Sequence, residues 1–110
     1  MYQRQIALVS KGNLYFYPKV NEGQTKINLE IYTPLGKEIE ITINDTNSKI
    51  NSDNQYFQTN YKKAENVPNT IKLNIKEDNT VLSIKLTDSN LFKVVETEGA
   101  RIMKKEYYLN

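Results

Sequence analysis

The 110-residue sequence has no cysteine, no histidine and no tryptophan, and it is sparing with glycine and proline. Without cysteine there is no disulfide framework and no thiolate chemistry, and the redox compartment is left open. Without histidine, the usual general base, metal ligand and pH switch are missing together. No apolar run approaches the roughly 20 residues that span a bilayer, so membrane insertion is not expected. Met1 to Gln5 opens without the apolar core of a signal peptide, and the chain as given is expected to be untargeted. A P-loop, a dinucleotide fingerprint, a nucleophile elbow and a zinc spacing are all lacking. The chain is therefore read as a non-enzyme with no cofactor and no metal.

What is present describes one domain over residues 1–110, long enough to bury roughly two-thirds of its unfolded surface. Fifteen Lys and Arg against thirteen Asp and Glu leave a formal charge of +2, too mild to demand a polyanionic partner. Arginine occurs only as Arg4 and Arg101, while Lys, Asn and Ile are abundant. That bias suits an AT-rich genome, of bacterial, phage or archaeal-viral kind.

Two stretches alternate strictly. Over Lys26 to Asn44, Ile27, Leu29 and Ile31 precede Ile39, Ile41 and Ile43, with Thr33-Pro34-Leu35-Gly36 between them. Pro34 at the second position of a type I turn and Gly36 in a G1 bulge predict a hairpin pairing Ile31 with Ile39, Leu29 with Ile41 and Ile27 with Ile43. Over Ile71 to Leu86 a second hairpin is predicted about Asp78-Asn79, pairing Ile75 with Leu82, Leu73 with Ile84 and Ile71 with Leu86. A first hairpin is expected from Gln5–Val9 and Leu14–Lys19 around Gly12-Asn13. Asn21 to Gln24 reads as a turn. The polar segment Asp45 to Asn69 is expected to carry one short strand near Gln55 to Lys62, closed by Pro68. Asp88-Ser89-Asn90 would set Phe92 opposite Leu86 and Val94 opposite Ile84. Glu98-Gly99 would turn Glu96 and Val95 to face Arg101 and Ile102.

No stretch of ten residues shows a capped helical period. The reading is all-β: an antiparallel sandwich of seven to nine strands, immunoglobulin-like or jelly-roll-like. The Cys, Trp, Cys marks of true immunoglobulin domains are absent.

Candidate surfaces follow from these strands. Glu30, Glu38 and Glu40 would make the outer face of the first hairpin acidic, with Glu30 roughly 5 Å from Glu40 between β-carbons. Glycosidase carboxylates share such spacings, but a flat strand face lacks the cleft that raises one pKa. Lys72, Lys76 and Lys85 would make the second hairpin basic. Asp45, Asn47, Asp53 and Asn54 are oxygen donors, yet Lys49 and Tyr56 stand where an EF-hand loop needs ligands. Tyr56, Phe57 and Tyr61, followed by Lys62 and Lys63, could meet a protein, a glycan or stacked bases.

The leading expectation is a structural or protein-interaction module that self-associates or binds a protein, a small phage or virus particle component or accessory. The alternatives are a single-strand nucleic-acid binder of the OB or cold-shock kind, a glycan-binding module, and an inhibitor of a host defence protein. A virion or the cytoplasm of a bacterial host is the expected location.

Overall fold

The computed structural model describes residues 3–20, 22–34, 37–51, 53–87, 89–91 and 94–109. Among them the chain passes through strands and no helix: β1 (Gln3–Val9), β2 (Gly12–Phe16), β3 (Lys19–Val20), β4 (Lys26–Tyr32), β5 (Ile39–Ile43), β6 (Thr46–Ile50), β7 (Tyr56–Lys62), β8 (Ile71–Ile75), β9 (Thr80–Thr87), β10 (Ser89–Leu91), β11 (Val94–Glu98) and β12 (Ile102–Leu109). Two five-stranded sheets hold ten of these. The first has the order β12-β1-β9-β4-β7 and the second β11-β2-β8-β5-β6, while β3 and β10 form a short ribbon apart. Every ladder is antiparallel.

Eight strands account for the architecture. They form one long antiparallel ribbon whose tip is the turn at Asn44-Asp45, where Ile43 pairs with Thr46. Back along both arms, β4 pairs with β7, β2 with β8 and β1 with β9. The ribbon rolls up and is sealed by β4 against β9 and β5 against β8. This is the topology of a jelly roll, and it decides between the two sandwich types expected. β11 and β12 widen the sheets beside β2 and β1. The polar segment supplies two strands, β6 and β7, where one was expected.

The two predicted hairpins are not hairpins. β4 lies in the first sheet and β5 in the second, so Leu29 pairs with Thr59 and Leu86, and Ile41 with Ser48 and Leu73. Ile27, Leu29, Ile31, Ile39, Ile41 and Ile43 are nonetheless all buried, because they face one another across the core. The connection is an arch from sheet to sheet. Alternation dictates which side chains turn inward, and a strand in the facing sheet satisfies it as well as a neighbour in the same sheet. Thr33, fully buried, starts the arch with its N–H donating to the Gln55 carbonyl at 2.9 Å. Leu35 and Gly36 lie outside the described residues, and so does the expected bulge.

β8 and β9 are likewise split, as are β1 and β2, and β11 and β12. Val94 pairs with Phe16 and Glu96 with Tyr15, not with Ile84 and Arg101, and Ile102 pairs with Val9. Phe92 lies outside the described residues. Gly12 is inside β2, not at a hairpin turn. Asn79 does take positive φ (58°), but inside an arch, where Asp78 Oδ1 accepts the Lys11 N–H at 2.9 Å.

The core fills the space between the sheets with aliphatic side chains and Phe16. Each fully buried side chain of this size contributes roughly 1.5 to 3 kcal/mol. Ile50 closes the β6 end, and partly buried Phe57, Tyr61 and Ile102 pack against the rim.

Candidate interaction surface

The outer face of the first sheet is built mainly by β4, β7 and β9, with Ile6 and Leu8 from β1. Pairing sets Tyr32 beside Tyr56 and Ser83, and Glu30 beside Gln58 and Lys85. The Tyr56 hydroxyl donates to Glu30 Oε1 at 2.6 Å, and Lys85 Nζ lies 3.2 Å from Glu30 Oε2. Gln58 Nε2 donates to Asn28 Oδ1 at 2.7 Å. The hydrogen bond to Glu30 raises the Tyr56 pKa above the ordinary tyrosine value, helped by partial desolvation and the carboxylate charge. Tyr32 and Tyr56 remain 40% and 49% exposed, so this face carries bare aromatic area next to an internally paired charge. Ile6, Leu8, Val81 and Lys104 line a shallow depression of about 250 Å³ on the same sheet.

The outer face of the second sheet is polar and closed on itself. Lys76 Nζ lies 3.5 Å and Lys49 Nζ 3.9 Å from Glu40 Oε1. Lys72 Nζ sits 5.9 Å from the centre of the Tyr15 ring, whose hydroxyl donates to Glu98 Oε2 at 3.3 Å. Asn74 donates to Asn13, and Asn47 to Thr42.

The expected charge segregation does not occur. The acidic strand β4 pairs with the basic strand β9, and β5 with β8, so Glu30 meets Lys85 and Glu40 meets Lys76. Glu30 and Glu40 lie on opposite outer faces, which removes the close carboxylate pair. Glu38 is exposed beyond the start of β5. Asp45 and Asn47 sit at one end of β6 and Asp53 and Asn54 past the other, separated by a strand of about 15 Å. Asn51 and Asn54 are spent on their own turn, the Asn51 N–H donating to Asn54 Oδ1 and the Asp53 N–H to Asn51 Oδ1. Among the described residues, no three Asp or Glu gather as a metal site. No helix among them is long and apolar enough to cross a membrane.

The aromatic island divides by parity. Tyr56 faces outward, while Phe57 and Tyr61 turn toward the core and line a cleft of about 360 Å³ between β6 and β7, with Ser48 and Thr59. The Tyr61 hydroxyl is buried there without a hydrogen-bond partner, and burial raises its pKa. Lys62 is exposed opposite Lys26. Lys63 follows it, its N–H donating to the Thr25 carbonyl at 2.9 Å.

The feature that residue types alone did not point to is the position of β7, which ends the first sheet beyond β4. A hint was available: Tyr56–Lys62 has no proline and a single charge, Lys62 at its last position, so little in it blunts an edge. Comparison with family models, with curated proteins and with solved structures finds nothing that matches this chain.

Proposed function

We propose that the protein is a non-enzymatic structural or protein-interaction module, and within that class a small component or accessory of a phage or virus particle. The observation that supports this is the outer face of the first sheet. It is broad and open, its central carboxylate is paired internally, and Tyr32 and Tyr56 are left bare beside a free sheet edge. Small-molecule sites are concave and surround the ligand, whereas aromatic residues on an open face suit contact with another macromolecule. Jelly rolls occur in capsid and lectin domains alike, so the particle setting rests on analogy of fold and on composition. With Phe57 and Tyr61 turned inward, the aromatic trio forms no exposed platform for a sugar, which favours protein over glycan.

Particles purified from the native source by density gradient test the reading. The chain should band with them, and Tyr32→Ala with Tyr56→Ala should reduce its share. A chain confined to the soluble fraction, or a share indifferent to both substitutions, would overturn it.

A further inference from the structure

We propose that β7 joins two copies of this chain, antiparallel about a two-fold axis through Thr59, so that the first sheet continues into that of the second copy. This deepens the interaction reading above by naming a partner and a contact.

Among the described residues, no strand pairs with the outer side of β7. The Thr33 N–H donates to the Gln55 carbonyl and the Lys63 N–H to the Thr25 carbonyl. These two bonds fix the phase of the β4–β7 ladder: odd-numbered residues of β7 turn their backbone groups toward β4. The N–H and C=O groups of Tyr56, Gln58, Asn60 and Lys62 therefore point away from the sheet. Seven successive pairs from Lys26–Lys62 to Tyr32–Tyr56 run without a bulge. Natural edges are usually blunted by proline, bulges or inward charge, and β7 has none of these.

The sequence of the strand, YFQTNYK, complements itself about its centre. Folding it onto a second copy at Thr59 sets Gln58 opposite Asn60 and Tyr56 opposite Lys62. Those are the residues whose backbone groups point outward, the Asn60 carbonyl accepting the Thr59 hydroxyl at a long 3.5 Å, so each pair can exchange two main-chain hydrogen bonds. The close pairs between them are Thr59 with Thr59 and Phe57 with Tyr61, combinations that stabilise antiparallel ladders. The only charge, Lys62, lands beside the Tyr56 ring and on the side of Glu30, to which Tyr56 is bonded. Like charges stay at opposite ends. The pairing also seats a second Phe57 and Tyr61 beside the β6–β7 cleft, where the Tyr61 hydroxyl lacks a partner. The neighbouring edge, β6, reads TNSKI and has no such symmetry.

Because the chain has no native cysteine, single-cysteine variants report the register directly. Thr59→Cys faces itself across a narrow pair, within the Cα separations a disulfide accepts. Gln58→Cys faces Asn60 and does not. Light scattering should give twice the monomer mass, falling to one on dilution. Mild oxidation should convert Thr59→Cys to covalent dimer at least tenfold faster than Gln58→Cys. Asn60→Pro removes an outward N–H, so it should keep the wild-type thermal midpoint at dilutions where both are monomers, yet scatter as a monomer at concentrations where the wild type is dimeric. Gln58→Lys, which leaves the backbone unaltered, should weaken the dimer in the same direction. A monomer at all concentrations, a dimer unmoved by both Asn60→Pro and Gln58→Lys, or equal cross-linking of the two cysteine variants would overturn the proposal. Particle association is read separately, so loss of the dimer contact and loss of the wider reading are distinguishable.

Discussion

The backbone nitrogen of Ala100 occupies the space into which a β-carbon on Gly12 would project: the two would be 2.2 Å apart. Gly12 holds φ of +134° inside β2. At this point the β11–β12 arch passes over the β1–β2 arch. The crossing is fastened by the Ser10 N–H donating to the Arg101 carbonyl at 3.0 Å and the Arg101 N–H donating to Ser10 Oγ at 2.7 Å.

Gly12→Ala should therefore cost roughly 2 to 4 kcal/mol, since the obstacle is backbone that cannot rotate aside. Gly23, at φ of +83° with nothing within 4 Å of its would-be β-carbon, is the control. Gly23→Ala should cost only about 1 kcal/mol of conformational strain. Urea midpoints of the two variants, compared at equal m-value, check the difference.

Asn44 makes the tip of the ribbon and ties it down. It has φ of 52°, its N–H donates to the Thr70 carbonyl at 2.8 Å, and its Oδ1 accepts the Thr70 N–H at 3.0 Å. Asn44→Ala should lose both the side-chain bond and the tolerance of positive φ, about 2 kcal/mol in all. Asn44→Gly should lose only the bond and fall between Ala and wild type. Asn44→Asp, which keeps the acceptor, should be the mildest of the three in thermal melts.

Tyr61 makes the fold sensitive to alkali. Unfolded, it ionises near pH 10. Folded, burial holds the proton on to higher pH. Above about pH 10 the unfolded chain therefore binds fewer protons, so stability falls as pH rises; below that pH the contribution is complete. Tyr61→Phe should flatten this decline while leaving stability at neutral pH unchanged or slightly higher, because the hydroxyl it removes is unsatisfied. Denaturant titrations at neutral pH and above pH 10 measure both effects.

Glu30 links the Tyr56 hydroxyl to the Lys85 ammonium. Glu30→Gln should lower the Tyr56 pKa toward the usual tyrosine value, since the bond and the charge both come from that carboxylate. Phenolate absorbance, with Tyr56→Phe as the reference, reads the shift. A double-mutant cycle over Glu30 and Lys85 should give a coupling of about 0.2 to 1 kcal/mol that shrinks with added salt, the ordinary range for a partly exposed pair.

Much of this molecule could be read from residues alone, and what could not has a common cause. Alternation at Ile27–Ile31, Ile39–Ile43, Ile71–Ile75 and Leu82–Leu86 named the buried side chains correctly, because inward facing is a local property of a strand. Tyr56–Lys62 was legible as a strand near its true bounds for the same reason. Partnering was not legible. Pro34 and Asp78-Asn79 announce a reversal of direction, and an arch reverses the chain as fully as a hairpin does. That single ambiguity moved Glu30 away from Glu40 and beside Lys85, and dissolved the expected acidic and basic faces. The one true hairpin among the described residues of the two sheets, at Asn44-Asp45, lay in a segment whose polarity concealed β6, an edge strand with only Ile50 fully buried.

β1 is clasped between β9 and β12, with Gln3 facing Leu86 on one side and Leu109 on the other. β1 thus has no partner strand until β9, far downstream in the chain, is available to pair with it. Apart from the β5–β6 ladder, each ladder of the two sheets must bring together segments far separated along the chain, at a large cost in loop closure before any reward. The expected timescale of folding is that of slow all-β domains, milliseconds to seconds, and the exposed apolar stripes of the waiting strands are where a holding chaperone would engage.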